Sequence, residues 1–162
     1  WMRETVFHVH NDYTEWSAPQ RVRDIFPDEA EELLRHRFAV IQVWRGLRSP
    51  VEKEPLAMCD ARSIEAGDLM VMERRRPEGP QSTKRVGELY HLSFNPKHEW
   101  SYFPRMSSDE VLIFKTFDSD RDSSSRFTAH AAFDDPTTRP DAPDRLSIDI
   151  RAFAFFGPSN CG

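Results

Sequence analysis

From Phe38 onward the apolar residues come in short runs separated by polar, proline-marked breaks, and this rhythm narrows the possible folds more than anything else in the chain. The runs cover residues 38–44, 56–59, 69–72, 89–94, 100–103, 111–117, 126–133 and 145–156. Each is the length of a strand and too short for a typical helix. Residues 38–44 are almost continuously apolar, which suits a strand buried on both faces. Residues 6–14 are β-rich and read as a strand running into a loop.

Two helices are expected before the strands. Ser17 looks like a cap with Pro19 early in the helix, and Val22, Ile25 and Phe26 share one helical face. Pro27 restarts a second helix. Asp28 and Glu29 lie at its positive end, Arg35, His36 and Arg37 at its negative end, and Ala30, Leu33 and Leu34 on its apolar face. Asn95 to His98 reads as a hairpin turn, 118–125 as a polar turn that includes Asp118, 134–144 as a proline-rich connection, and 74–85 as a mobile charged loop with a lid as the lesser reading. No internal repeat is visible. Helices followed by about eight short strands predict a mainly β fold with supporting helices, a double-stranded β-helix of the jelly-roll or cupin type. At 162 residues this is one catalytic domain spanning 1–162. Trp1-Met2 is an odd start, and a barrel presenting His10 needs strands before it, so an N-terminal part is expected to be missing from the sequence.

The chemistry-bearing pattern is His10-Asn11-Asp12, then the distant His130 in Thr-Ala-His-Ala-Ala-Phe, then Arg145-Leu146-Ser147 opening the last strand. In a strand, residues i and i+2 face the same way, so His10 and Asp12 can aim at one ion and His130 can complete the set from a neighbouring strand. Two imidazoles and a carboxylate occupy one face of Fe(II) and leave the other open for a chelating 2-oxo acid and O2. Singly these residues are ordinary: with 6 histidines and 27 acidic residues, about one chance His-x-Asp/Glu is expected. Their order along the chain is the informative part.

Arg145, Ser147, Asp149 and Arg151 alternate onto one face of the last strand. A guanidinium fork matches a carboxylate, so Arg145 with Ser147 is the candidate anchor for the far carboxylate of 2-oxoglutarate, and Arg151 is the alternative. The competing reading is an outward, salt-bridged strand. Gln42 either lines the pocket or is a core amide, and Tyr13 either steers a ligand or simply packs. Trp100, Tyr102 and Phe103 form a core aromatic cluster or, less favoured, an apolar substrate wall. His8, His36, His91 and His98 show no usable partner pattern.

The net charge of −5 and the lack of a basic run argue against nucleic acid, and no apolar run can span a bilayer. Cys59 and Cys161 make no disulfide framework, so a cytoplasmic setting is expected.

Seven ordered segments, His-Asn-Asp-Tyr-Thr (10–14), Val-Trp-Arg-Gly-Leu (43–47), Pro-Leu-Ala-Met-Cys-Asp-Ala-Arg-Ser (55–63), Gly-Glu-Leu-Tyr (87–90), Lys-Thr-Phe-Asp-Ser (115–119), Thr-Ala-His-Ala-Ala-Phe (128–133) and Arg-Leu-Ser-Ile-Asp-Ile-Arg (145–151), resemble the fungal and bacterial AsaB/CmcJ-like hydroxylase/desaturase family, which includes a gibberellin desaturase. The resemblance covers roughly residues 8–156. It implies a double-stranded β-helix and Fe(II)/2-oxoglutarate chemistry with O2 in secondary metabolism. It puts iron on His10, Asp12 and His130 and the co-substrate on Arg145 with Ser147. Gln42 stands where the family tends to have Asn, and Asp149 where it tends to have Glu. The implied reaction oxidises an unactivated C–H bond of a small molecule, such as an amino acid, peptide or terpenoid-like metabolite, by hydroxylation, desaturation or ring closure such as aziridine formation. A homodimer is compatible with it. The rival readings are a cupin-like metalloenzyme that does not use 2-oxoglutarate and a non-catalytic jelly-roll binding module.

Overall fold

The structure, a computed structural model, describes residues 4–75 and 86–157. Its elements in chain order are β1 (His10–Asn11), α1 (Ser17–Ile25), α2 (Ala30–Leu33), β2 (Phe38–Gly46), β3 (Leu56–Cys59), β4 (Leu69–Arg75), β5 (Val86–Leu92), β6 (Trp100–Tyr102), β7 (Leu112–Asp118), β8 (His130–Ala132) and β9 (Ser147–Phe155). One sheet runs β4-β5-β1-β8-β3-β6 and the other β7-β2-β9, with antiparallel pairing throughout. This is the mainly β jelly roll with helical support that the strand rhythm predicts.

Several boundaries differ from expectation. The 6–14 run contributes only the two residues of β1, and 126–133 only the three of β8. On their flanks, side chains take the His8 and Thr128 carbonyls and the Thr128 N–H. Asn95 to His98 does form a turn, closed by the His98 N–H donating to Asn95 O at 3.1 Å. It is not a hairpin, since β1, β8 and β3 separate β5 from β6. Arg145 precedes β9 and does not open it. Of the expected charged loop, Arg74 and Arg75 finish β4, and 76–85 lie outside the described residues, as do Trp1-Met2 and Cys161.

Helix α1 begins differently from the expected Ser17 cap. The Ser17 N–H donates to Thr14 Oγ1 at 3.0 Å while the Thr14 N–H donates to Ser17 Oγ at 2.8 Å. This reciprocal bonding satisfies orphan donors at the helix start. Helix α2 is barely one turn, with Ala30 buried. The core cluster of Ala18, Val22, Ala30, Phe38, Val40 and Phe117 joins both helices to β2 and β7, with Leu33 and Leu34 packed against it.

β2 is the central strand of its sheet, paired on both sides, and most of its residues are buried, as its apolar run predicts. Its pairing with β7 carries a register shift: Val40 faces Phe117 but Ile41 faces Lys115, so Thr116 is the extra residue. Residues 114 and 117 would point to opposite faces of a regular strand. The bulge lets both turn inward, Phe117 onto Phe38 (ring centroids 5.1 Å apart) and Phe114 onto His130 (5.0 Å).

Candidate metal centre

β1 lies between β5 and β8, and its register sets His10 opposite His130. The two imidazole centroids are 4.6 Å apart, with the rings inclined at 49°. In each ring Nδ1 lies 2.8 Å from the main-chain carbonyl two residues earlier, His8 O for His10 and Thr128 O for His130. A carbonyl only accepts, so Nδ1 carries the proton and Nε2 presents its lone pair. The chain bends after Asn11 and brings Asp12 in, with Oδ2 3.8 Å from His130 Nε2. One ligand atom from each of His10, Asp12 and His130 lies within 4.8 Å of the other two. Burial of His130, together with the His10 imidazole beside it, lowers its pKa and favours the neutral ring that can ligate.

The donor set fits Fe(II): two imidazoles, one carboxylate and no thiolate among them. Cys59 is buried, burial pushes its thiol pKa up, and its sulfur lies 3.6 Å from Ser63 Oγ.

Around the triad the polar face of β9 turns toward β1. Arg151 pairs with Gln42 in register, and its Nε donates to Asp12 Oδ2 at 3.0 Å and to Gln42 Oε1 at 3.2 Å. Its Nη2 sits 2.9 Å from Asp149 Oδ2. Gln42 is buried and binds a side chain, not the backbone, at this oxygen. Arg145 stands apart from the triad. Its Nη1 donates to Glu54 O, its guanidinium lies 5.6 Å from the Trp44 ring centre, and burial pulls its pKa down while the Glu54 carboxylate opposes. Ser147 is opposite Gly46, four residues from Arg151, or roughly 13 Å along the strand. The apolar cluster of Trp44, Leu56, Leu112 and Phe114, with Met58, links the two regions: Phe114 sets its edge on His130 at one end, and Trp44 lies under Arg145 at the other. The Tyr13 side chain packs on the core around α1.

Trp100 and Phe103 are exposed at 42% and 56%, so the aromatic trio is not core. With Phe7, Val9, Ala57, Ala131 and others, Trp100 and Tyr102 line a groove of about 490 Å³. Ala131 and its register partner Ala57 line this groove, and the adjacent His130 points the other way. The groove therefore opens on the face of the sheet opposite the triad.

Sequence reasoning missed the immediate neighbours of the ligands. His91 is opposite His10 in register, and its ring stacks with that of His8 at 6.1 Å. Asn11, between the two candidate ligands of the His-x-Asp pair, is fully buried and makes three hydrogen bonds. A polar residue that a period-2 pattern would leave in solvent gave no signal of this.

A family model described as an oxidoreductase/YMDC permease-like domain matches residues 2–155. The chain is 39% identical over 149 residues to the Fe(II)/2-oxoglutarate-dependent dioxygenase nvfI of Aspergillus novofumigatus, covering 92% of this chain and 52% of that protein. It is 39% identical over 138 residues to the hydroxylase/desaturase asaB of Aspergillus flavus, covering 79% and 60%. Among solved structures, the iron and alpha-ketoglutarate-dependent endoperoxidase NvfI superposes with a TM-score of 0.87 at 37% identity, over 96% of this chain and 54% of that one. The chain spans about half the length of the curated relatives it matches.

Proposed function

Because this chain belongs to the oxidoreductase family that includes the fungal hydroxylase/desaturases and an Fe(II)/2-oxoglutarate-dependent dioxygenase, we propose that it serves an Fe(II)/2-oxoglutarate-dependent oxygenase of secondary metabolism that oxidises an unactivated C–H bond of a small molecule. The observation that carries this reading is the convergence of three ligand atoms within 4.8 Å, with both imidazoles presenting Nε2. His10, Asp12 and His130 would hold Fe(II). The metal, when bound with 2-oxoglutarate and O2, supplies the oxidising power for the C–H bond.

The protein's own groups do the rest. The carbonyls of His8 and Thr128 keep the Nδ1 protons in place, so that neither ring has to change tautomer to ligate. Arg151 donates to Asp12 Oδ2, which orients the carboxylate. Gln42 in turn fixes Arg151. Phe114 shields one side of His130 from water. Arg145 with Ser147 is the anchor we favour for the far carboxylate of 2-oxoglutarate. A guanidinium has five N–H donors, and the bond to Glu54 uses one. Arg151 as that anchor is the second reading, favoured by its nearness to Asp12.

The substrate we infer is an amino acid, peptide or terpenoid-like metabolite, oxidised in the cytoplasm by a catalytic domain able to form a homodimer. Among the described residues no helix is long and apolar enough to cross a membrane. Anaerobic titration with Fe(II) and 2-oxoglutarate should give the weak visible band of the chelate. Folded, iron-loaded protein that shows no band on adding 2-oxoglutarate would exclude the co-substrate and favour the cupin-like alternative.

A further inference from the structure

We propose that Asn11 is a positioning residue that locks the two halves of the metal site to each other before any metal arrives. The inference rests on the assignment of His10, Asp12 and His130 as ligands. Asn11 Nδ2 donates to Tyr13 O at 2.7 Å and to Thr116 O at 2.8 Å, and its Oδ1 accepts the Thr128 N–H at 3.2 Å. The side chain has no exposure to solvent.

These three bonds reach three separate pieces of the fold. The bond to Tyr13 closes the chain around Asp12, from residue 11 to residue 13, and sets the direction in which that carboxylate leaves the backbone. The bond to Thr116 reaches the bulged residue of β7 and ties the strand bearing His10 to the other sheet. The bond from Thr128 reaches the segment that leads into His130. Thr128 is held at both ends, its N–H by Asn11 and its carbonyl by the His130 Nδ1–H. Asn11 thereby fixes the acceptor that sets the His130 tautomer and ring orientation.

The chemistry of the three partners selects the amide. Two carbonyls need donors and one N–H needs an acceptor, and the two ends of an asparagine side chain supply both. The reversed amide would turn its oxygen toward two carbonyls and its NH2 toward an N–H, so the partners fix the orientation. Aspartate has the same shape but would set a carboxylate against two carbonyl oxygens. Leucine would remove all three bonds and leave the buried Thr116 carbonyl and Thr128 N–H without this partner.

The test compares the full chain with Asn11→Asp and Asn11→Leu, using Co(II) as the probe. Its visible spectrum reports the ligand geometry and its titration reports affinity, and neither needs turnover. Loss of partners behind a ligand typically costs about 10–100-fold in metal affinity. We expect a loss in that range for Asn11→Asp, with an altered Co(II) spectrum. Leu33→Ala, which loosens α2 against the core, should lower Tm and leave both Co(II) readouts at the wild-type values. Asn11 variants that lose stability but keep the wild-type spectrum and affinity would reduce Asn11 to a core residue and overturn the proposal. If the variants do not fold, hydrogen exchange on the metal-free wild type decides: slow exchange of the Thr128 N–H and the Asn11 side-chain amide supports a site built in advance, and solvent-rate exchange overturns it. A wild-type chain that binds neither Co(II) nor Fe(II) would instead reject the ligand assignment itself.

Discussion

At the residue scale, the consequential side chains are polar groups with no solvent contact. Asp118 reads in the sequence as the start of a polar turn, yet it ends β7 fully buried. Burial alone would raise its pKa, but Arg37 Nε and Nη2, the Lys115 ammonium at 2.8 Å and the Asp120 N–H hold the carboxyl far below its usual range. A folded-state pKa below the unfolded one contributes stability that is complete at neutral pH. That contribution is lost as acid protonates the unfolded chain, starting near the ordinary aspartate value of about 4. Asp118→Asn should cost about 1–3 kcal/mol at pH 7 and flatten the acid limb of a stability-versus-pH curve, measured by denaturant melts between pH 3 and pH 7. An acid limb unchanged in the variant would assign the loss to another carboxylate. His130→Ala tests the proposed site: if His130 ligates iron in a 2-oxoglutarate oxygenase, the variant should lose iron retention and succinate formation while the apoprotein still folds. Iron content equal to wild type would remove His130 from the ligand set.

At the scale of elements, two features position the site, and neither follows from propensity. One is the β7 bulge at Thr116, which turns Phe114 toward His130 and gives Asn11 a carbonyl to bind. The other is the face chosen by β9. Its alternation of Ser147, Asp149 and Arg151 against Ile148, Ile150 and Ala152 is plain in the sequence, but the alternation does not say which side is inside. The polar side meets Asp12 and Gln42, while Ile150 opposite Val43, with Ile113 on the other flank of β2, stays more than half exposed. The start of α1 is also an element-scale device. Thr14 caps Ser17 and its hydroxyl donates to Glu88 Oε2 at 2.9 Å, linking the helix to β5. Thr14→Val keeps the shape and removes these bonds. The denaturation midpoint should fall by an amount equivalent to about 1–2 kcal/mol with the m-value unchanged. A midpoint within error of wild type would mean that water replaces the hydroxyl.

At the scale of the whole molecule, the proposed metal site draws on both sheets. His10 and His130 belong to the six-stranded sheet, while Arg151 and Gln42, which hold Asp12, belong to the three-stranded one. A ligand that binds only the folded state stabilises it by mass action, by about 2.7 kcal/mol at a hundredfold excess over Kd. Fe(II) or Co(II) should therefore raise Tm in proportion to the logarithm of its concentration, and the rise should vanish in His130→Ala. An equal rise in that variant would place the binding metal elsewhere.

The strand rhythm, the buried central strand β2, and His10, Asp12 and His130 as candidate ligands are legible in the linear chain, because hydrophobic period and ligand chemistry are local properties. Tertiary structure alone decided that Arg151 meets Asp12 while Arg145 lies over Trp44, that Asn11 binds Thr116 and Thr128, that Asp118 is buried, and that Trp100 and Phe103 are exposed. Each of these depends on which residues become neighbours when two sheets close on each other. A bulge or a choice of face changes those neighbours without leaving a mark in composition or spacing.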